Sequence, residues 1–293
     1  MKVLVIGATG QMGRALAQPP WPAAIRLDLC DRGRLDLTAT DRIAAFVEAA
    51  RPDLVINAAG YTAVDRAESE PGLSFAVNAV APGRIAAGCA AIGAGLIHLS
   101  TDYVFDGAKG EPYREGDPVA PLGVYGRSKQ AGEDAVRAAG ARHVILRTAW
   151  LFSPHGQNFV KTILRLARER DELEVVDDQL GCPTAAGDLA QTIIAIAARM
   201  SDGDDRAQGT FHAAGGGAAS WHGLAAAILA DLARRGGPRP RLRAIPTAAF
   251  PLPARRPPDS RLDCGRLAAT FGLRLPDWQD ALARVLHTLH EPA

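Results

Sequence analysis

The chain has 293 residues, 47% hydrophobic and 22% charged, and its 33 Lys and Arg against 32 Asp and Glu leave a formal charge of +1. That length builds one large or two ordinary domains with a full core, and the balanced charge excludes the basic surplus of non-specific nucleic-acid binding. No apolar run approaches the roughly 18 to 20 residues of a membrane helix, and only Lys2, Lys109, Lys129 and Lys161 among the basic residues are lysine.

The opening MKVLVIGATG reads as a buried strand over residues 3–6 rather than a signal peptide, so a cytoplasmic protein is expected. It runs into Gly7-Ala-Thr-Gly10-Gln-Met-Gly13 and a helix over 11–17. The first glycine permits a tight turn, the second lets backbone approach a pyrophosphate, and the third lets the helix pack on the strand. The free N–H groups of the helix start then face the phosphates. Strand 25–29 carries Asp28 about 20 residues on, where an acidic side chain holds an adenine ribose, and Asp36 and Leu37 follow to flank the adenine. Asp28 favours NADH, whereas Arg32 and Arg34 suit the 2′-phosphate of NADPH.

Further strands are predicted over 54–57, 96–99 and 144–146, separated by Ala-rich helices over 40–50, 73–92 and 125–139. Strand–helix alternation at this spacing means an α/β, doubly wound parallel sheet with helices on both faces, a Rossmann-type fold. The fourth strand runs into Leu99-Ser-Thr101-Asp102, which places the Thr101 hydroxyl where open parallel sheets bind ligands. A long Gly- and Pro-rich connection, about 101 to 124, leads to Tyr125-Gly-Arg-Ser-Lys129. Four residues apart, the phenol and ammonium share a helix face. An adjacent ammonium lowers a phenol's pKa from near 10 and makes it a better acid–base group. Beyond residue 150 the reading is helices over 159–168, 188–200, 221–233 and 278–289, a strand over 210–213, and a solvated Pro-, Gly- and Arg-dense connector over 234–258. His98 reads as a packed core residue, and the four scattered cysteines as isolated thiols.

Together these segments resemble the extended short-chain dehydrogenase/reductases, and within them the dTDP-4-dehydrorhamnose reductase family, nearly end to end. The more specific marks are Asn57-Ala-Ala-Gly-Tyr-Thr-Ala-Val-Asp65, Ser100-Thr-Asp-Tyr-Val-Phe-Asp-Gly107, Arg147-Thr-Ala-Trp150, Asp178-Gln-Leu-Gly-Cys-Pro-Thr184 and Arg256-Pro-Pro-Asp-Ser-Arg-Leu262. The resemblance implies NADPH or NADH as hydride donor, with Tyr125 as the acid at C4, Lys129 tuning it and holding the ribose, and Thr101 orienting the carbonyl. It implies that Gly7, Gly10, Gln11, Met12 and Gly13 cradle the pyrophosphate. Ala58, Ala59, Gly60, Tyr61 and Thr62 would line the cofactor, and Asp28, Asp36 and Leu37 would hold its adenosine. Thr101, Asp102, Trp150 and Arg256 would meet a small-molecule nucleotide sugar in dTDP-rhamnose synthesis. Residues 1–150 would form the cofactor and catalytic domain. Residues 151–293 would mainly form a smaller, partly interleaved α/β substrate domain.

The chain departs from the family at one point. Some members dimerise through a magnesium ion held by glutamates, and the matching positions here are Ala15 and Gly187. Without those oxygen ligands no metal site is expected, leaving a monomer or a homodimer not bridged by metal, without nucleic-acid or membrane partners. The alternatives are a nucleotide-sugar epimerase or dehydratase of the same superfamily, or a non-catalytic subunit resembling the methionine adenosyltransferase beta subunit.

Overall fold

The computed structural model describes residues 1–201 and 207–290. The first half contains β1 (Lys2–Ile6), α1 (Gln11–Ala17), β2 (Arg26–Cys30), α2 (Ile43–Ala50), β3 (Leu54–Asn57), α3 (Val64–Ser69), α4 (Pro71–Phe75), α5 (Ala81–Ile92), β4 (Gly95–Thr101), α6 (Val124–Ala138) and β5 (His143–Thr148). A π-turn, Ala76–Val80, joins α4 to α5. The second half follows with β6 (Leu151–Phe152), α7 (Phe159–Glu169), β7 (Glu172–Val176), β8 (Leu180–Gly181), β9 (Thr184–Ala185) and α8 (Ala186–Ser201). It closes with β10 (Gly209–His212), β11 (Ala219–Ser220), α9 (Trp221–Arg234), β12 (Arg241–Ile245), α10 (Gly265–Phe271) and α11 (Trp278–His290).

Six parallel strands lie in the order β10-β5-β4-β3-β1-β2. The chain steps from β1 outward to β2, then crosses back to β3 on the other side. Ligands bind beyond the carboxyl ends of the strands at such a reversal. Alternate residues face opposite sides of a strand, and the apolar runs therefore feed two cores. Val3, Val5, Leu54, Ile56 and Ile97 pack with α1, α8 and α10, while Leu4, Ile6, Val55, Leu96 and Ile145 pack with α2, α5 and α6. A separate core gathers α7, α9 and α11 around β7. β10 and α8 thus return from the second half to the sheet built by the first.

Two expectations need correction. The segment 234–258 is not merely a solvated connector: it contains β12, which pairs in parallel with β7 along its whole length. Its arginines point outward, and Arg243 pairs with Glu174 and Glu172. The helical run Pro71–Ile92 is long and apolar enough, by length and composition, to cross a membrane. Here it is a core helix, with Ile85, Ala86 and Cys89 fully buried and α5 packed on α2 and α6. The glycine-rich connection before α6 is ordered by Tyr113 stacked on Phe105 at 4.1 Å and by Lys109 paired with Asp117 at 2.6 Å.

Candidate active site

A cleft of about 380 Å³ opens at the carboxyl ends of β1, β3, β4 and β5 and is closed on the far side by α7 and α9. The glycine loop leads to it, with Gln11 and Met12 at the start of α1 among its lining residues. Gly7 has φ +89°, and a Cβ there would stand 2.7 Å from the Ala59 nitrogen. A Cβ on Gly13 would meet the Gly7 carbonyl at 2.2 Å. Both positions admit only glycine, and the backbone they compress leaves the exposed turn at Gly10 clear for a phosphate. The residues present therefore fit a dinucleotide. Gln11 lines the cleft and its side chain ties the two halves together, accepting from Ser153 Oγ and Asn158 Nδ2, each at 3.0 Å. Met12 also lines the cleft but is otherwise core.

Asp28 lies in the middle of β2 rather than at its end. Its carboxylate accepts from Arg34 at 2.6 Å and faces Lys2 at 3.4 Å, and the Arg34 hydrogen bond holds it below the usual carboxylate range. The residue that follows the strand is Asp31, exposed and next to Cys30, whose carbonyl accepts from the Gly7 and Ala8 N–H groups. The expected 20-residue spacing falls on Asp28, three positions before the strand-end aspartate. Asp36 caps a turn by accepting from Thr38, and Leu37 is buried in the core beneath it.

Ala58, Ala59 and Gly60 follow β3 into the cleft, with Thr62 beside them. This loop is held by Asn78, fully buried in the π-turn, which accepts from Tyr61 N at 2.8 Å and donates to Tyr61 O at 3.0 Å and to Ser128 Oγ at 3.0 Å. Tyr61 itself donates its hydroxyl outward to Glu70. Sequence reading missed Asn78 because, inside an Ala-rich helix, only the tertiary approach of α6 gives it partners. Insertions of this π type often sit at functional sites.

Thr101, the last residue of β4, and Tyr125 and Lys129, one turn apart on α6, meet over the centre of the cleft. Thr101 Oγ1 donates to Asp102 Oδ1 at 3.0 Å and accepts from Tyr103 N at 3.2 Å. It also lies near the Tyr125 phenol and lowers that phenol's pKa against the larger effect of burial. Burial pushes Tyr125 up to about 12, so the phenol is fully protonated at neutral pH. The lowered phenol expected from Lys129 is absent here. The Lys129 ammonium donates to the Leu99 carbonyl at 2.6 Å instead, and burial brings its own pKa down to about 8. Below this cluster Glu133 is fully buried but fully partnered, accepting from Ser100, twice from Arg147 and from Arg137.

Trp150 lies beyond β5 with φ +46°, a conformation that non-glycine residues rarely hold and that clusters at functional sites. It is not a free-standing platform. Its ring stacks on Trp221 at 3.5 Å and lies so close to Gly181 that a Cβ there would be 2.3 Å away. Trp221, with Phe159 tilted against it at 4.7 Å, is a second cleft aromatic that sequence reading left as an ordinary helix start. Arg256 does not line this cleft; it forms a two-pronged pair with Asp65 at 2.5 and 2.7 Å beside Tyr103. Ala15 is buried against α8, and Asp188, beside Gly187, is held by both carboxylate oxygens on Arg284. Among the described residues no group of three or more His, Cys, Asp or Glu side chains converges as a metal site.

Residues 1–291 match the family model described as the RmlD substrate binding domain. A dTDP-4-dehydrorhamnose reductase of Sinorhizobium fredii is 46% identical over 290 residues, covering 99% of this chain and 98% of that one. The crystal structure of a dTDP-4-dehydrorhamnose reductase from Clostridium acetobutylicum superposes with a TM-score of 0.92 at 36% identity, over 99% of this chain and 100% of that one. The Bacillus anthracis dTDP-4-dehydrorhamnose reductase in complex with NADP superposes at 0.89 with 34% identity, over 98% of this chain and 99% of that one.

Proposed function

The chain belongs to the dTDP-4-dehydrorhamnose reductase family, and on that premise we propose that it reduces the C4 ketone of dTDP-4-dehydro-6-deoxy-L-mannose to dTDP-L-rhamnose with NADPH or NADH. The observation that carries this reading is one cleft, lined by Gln11 and Met12 next to the glycine-only turn and by Thr101, Tyr125 and Lys129, at the carboxyl edge of the sheet. The nicotinamide cofactor supplies hydride when bound; proton supply, orientation and exclusion of water fall to side chains.

In this reading the Tyr125 phenol protonates the C4 oxygen, and its high pKa keeps the proton in place until the oxyanion forms. Thr101 orients the ketone and Lys129 turns from Leu99 to the nicotinamide ribose. Gly10, Gln11 and Met12 meet the pyrophosphate, and Gly60 to Thr62 line the cofactor under the grip of Asn78. Asp31 replaces Asp28 at the adenine ribose. Arg32, with 79% of its side chain exposed and a looser 3.5 Å pair to Asp36, is the cation that would meet a 2′-phosphate, since Arg34 is held on Asp28 at 2.6 Å. The Trp150–Trp221 pair meets the sugar, Asp102 acts on it through Thr101, and Asp65 fixes Arg256 toward the nucleotide end.

The test is stoichiometric. One NADPH or NADH is consumed per keto-sugar added, the product carries the rhamnose configuration at C4, and Tyr125→Phe lowers kcat by roughly 10²–10⁴-fold. Turnover without net cofactor oxidation would instead mark an epimerase or dehydratase. We propose also that this cytoplasmic enzyme works as a monomer or as a homodimer without bridging metal, because Ala15 and Gly187 offer no oxygen ligands and Arg284 already neutralises Asp188. Exhaustive chelation leaves activity whole; loss that magnesium restores would overturn this.

A further inference from the structure

We propose that Asp102 is a proton store that reprotonates Tyr125 through the Thr101 hydroxyl; the role rests on the reduction proposed above. Three groups line the cleft together. The Tyr125 phenol faces Thr101 Oγ1, and Thr101 Oγ1 donates to Asp102 Oδ1 at 3.0 Å. When Tyr125 has given its proton to the C4 oxygen it is a phenolate. The Thr101 O–H turns from Asp102 and transfers its proton to that phenolate; the Thr101–Asp102 bond reverses, and the carboxyl proton, carried on Oδ1, passes to Thr101 Oγ1 and leaves the carboxylate. Asp102 is left as carboxylate and recovers a proton from water when product leaves the cleft that it lines. One proton enters from solvent for each proton delivered to the sugar.

The environment of Asp102 suits a carboxyl that stores a proton. It is 2% exposed, and among the described residues its Oδ2 has no hydrogen-bond partner. The groups facing it are uncharged: Thr101 and Tyr103 on its own strand end, Tyr125 from α6, the Cys182 thiol beyond β8, and Ser260 from the segment after Arg256. Glu133, equally buried below the same cluster, is the contrast. Arg147, Arg137 and Ser100 surround it and hold its pKa below the ordinary value, so it is ionised for good. Burial without a cation raises Asp102 to about 7 instead, which lets it gain and lose a proton near neutrality. Asp102 acts through Thr101 and is a positioning residue: what it positions is a proton.

The neutral form is the competent one, so kcat of the wild type falls as pH rises through about 7. Asp102→Asn keeps the size and a hydrogen-bond acceptor but has no proton to give. It is expected to lower kcat at about pH 6 by roughly tenfold and to remove that limb of the profile, with KM for the keto-sugar within about twofold. Thr101→Ser keeps the limb and Thr101→Val abolishes it. Independently of any substrate, infrared difference spectra of the cofactor-free wild type show a protonated-carboxyl band that titrates near pH 7, which Asp102→Asn lacks. A limb that persists in Asp102→Asn, a change in KM alone, or the absence of a carboxyl band titrating near neutrality overturns the proposal. If the titrating band is present but the keto-sugar is not reduced by the wild type, the reductase reading fails instead.

Discussion

Asp28 and Asp31 stand three positions apart, and the strand sorts them. Asp28, in the body of β2, is spent on Arg34 and Lys2, whereas Asp31 stands past the strand end beside the glycine loop. Asp31→Asn is therefore expected to raise KM for the cofactor by about tenfold or more, the worth of a charged hydrogen bond to a ribose, with little change in melting temperature. Asp28→Asn should do the reverse: cofactor KM unchanged, stability slightly lower. Because its folded pKa is lowered, Asp28 contributes that stability above its unfolded pKa and loses it as pH falls through the folded one. For a pair at the surface the effect is at most about 1 kcal/mol. Cofactor titrations and thermal melts of the two variants decide; a larger KM effect at Asp28 would restore that residue to the ribose. The local patterns, the glycine loop and the Tyr125–Lys129 step, were legible because their partners lie within one turn of chain. Which of the two nearby aspartates stands past the strand end was not, because it depends on where the strand stops.

Helix α6 carries Tyr125 and Lys129 only because its neighbours come unusually close. A Cβ at Gly126 would lie 2.2 Å from the Tyr103 carbonyl, and one at Gly132 would lie 2.0 Å from the Asn78 carbonyl. Both obstacles are backbone and cannot swing aside. Gly132→Ala is thus expected to push α6 off the π-turn, with a stability loss of about 1–3 kcal/mol. Because Asn78 fixes the Gly60–Thr62 loop, cofactor affinity should fall as well. Urea unfolding with cofactor binding checks both, and a variant as stable and as tight as wild type would show that the contact yields freely. The same elements mark where sequence patterning ran short. An α5 preceded by a π-turn reads as one unbroken Ala-rich helix, since the extra residue changes register and not composition. β12 was hidden among prolines, glycines and arginines. Its pairing with β7 is clear only when Leu173 and Val175 are seen to bury alternately beneath exposed Glu172 and Glu174.

At the scale of the molecule, a border near residue 150 divides chemistry more cleanly than it divides folding. The sheet face formed by Val3, Val5, Ile97, Leu99, Val144 and Leu146 is covered largely by residues from the second half: Leu189, Ile193, Ile196 and Met200 of α8, Phe211 of β10 and Phe271 of α10. Burying a side chain of that size contributes about 1.5–3 kcal/mol, so these six together match or exceed the roughly 5–15 kcal/mol by which a whole domain is stable. A fragment of residues 1–150 would also present β5 as an open edge where β10 now pairs. It is expected to collapse without cooperative unfolding and to self-associate, and its urea transition should be broad beside the sharp one of the full chain. A fragment that melts sharply and binds NADPH would show that the covering helices are dispensable. The reason to expect otherwise reaches into the cleft. Gln11, on the helix that receives the pyrophosphate, is gripped by Ser153 and Asn158 from beyond the border. The half proposed to hold the cofactor thus takes the shape of its phosphate site in part from the half proposed to meet the sugar.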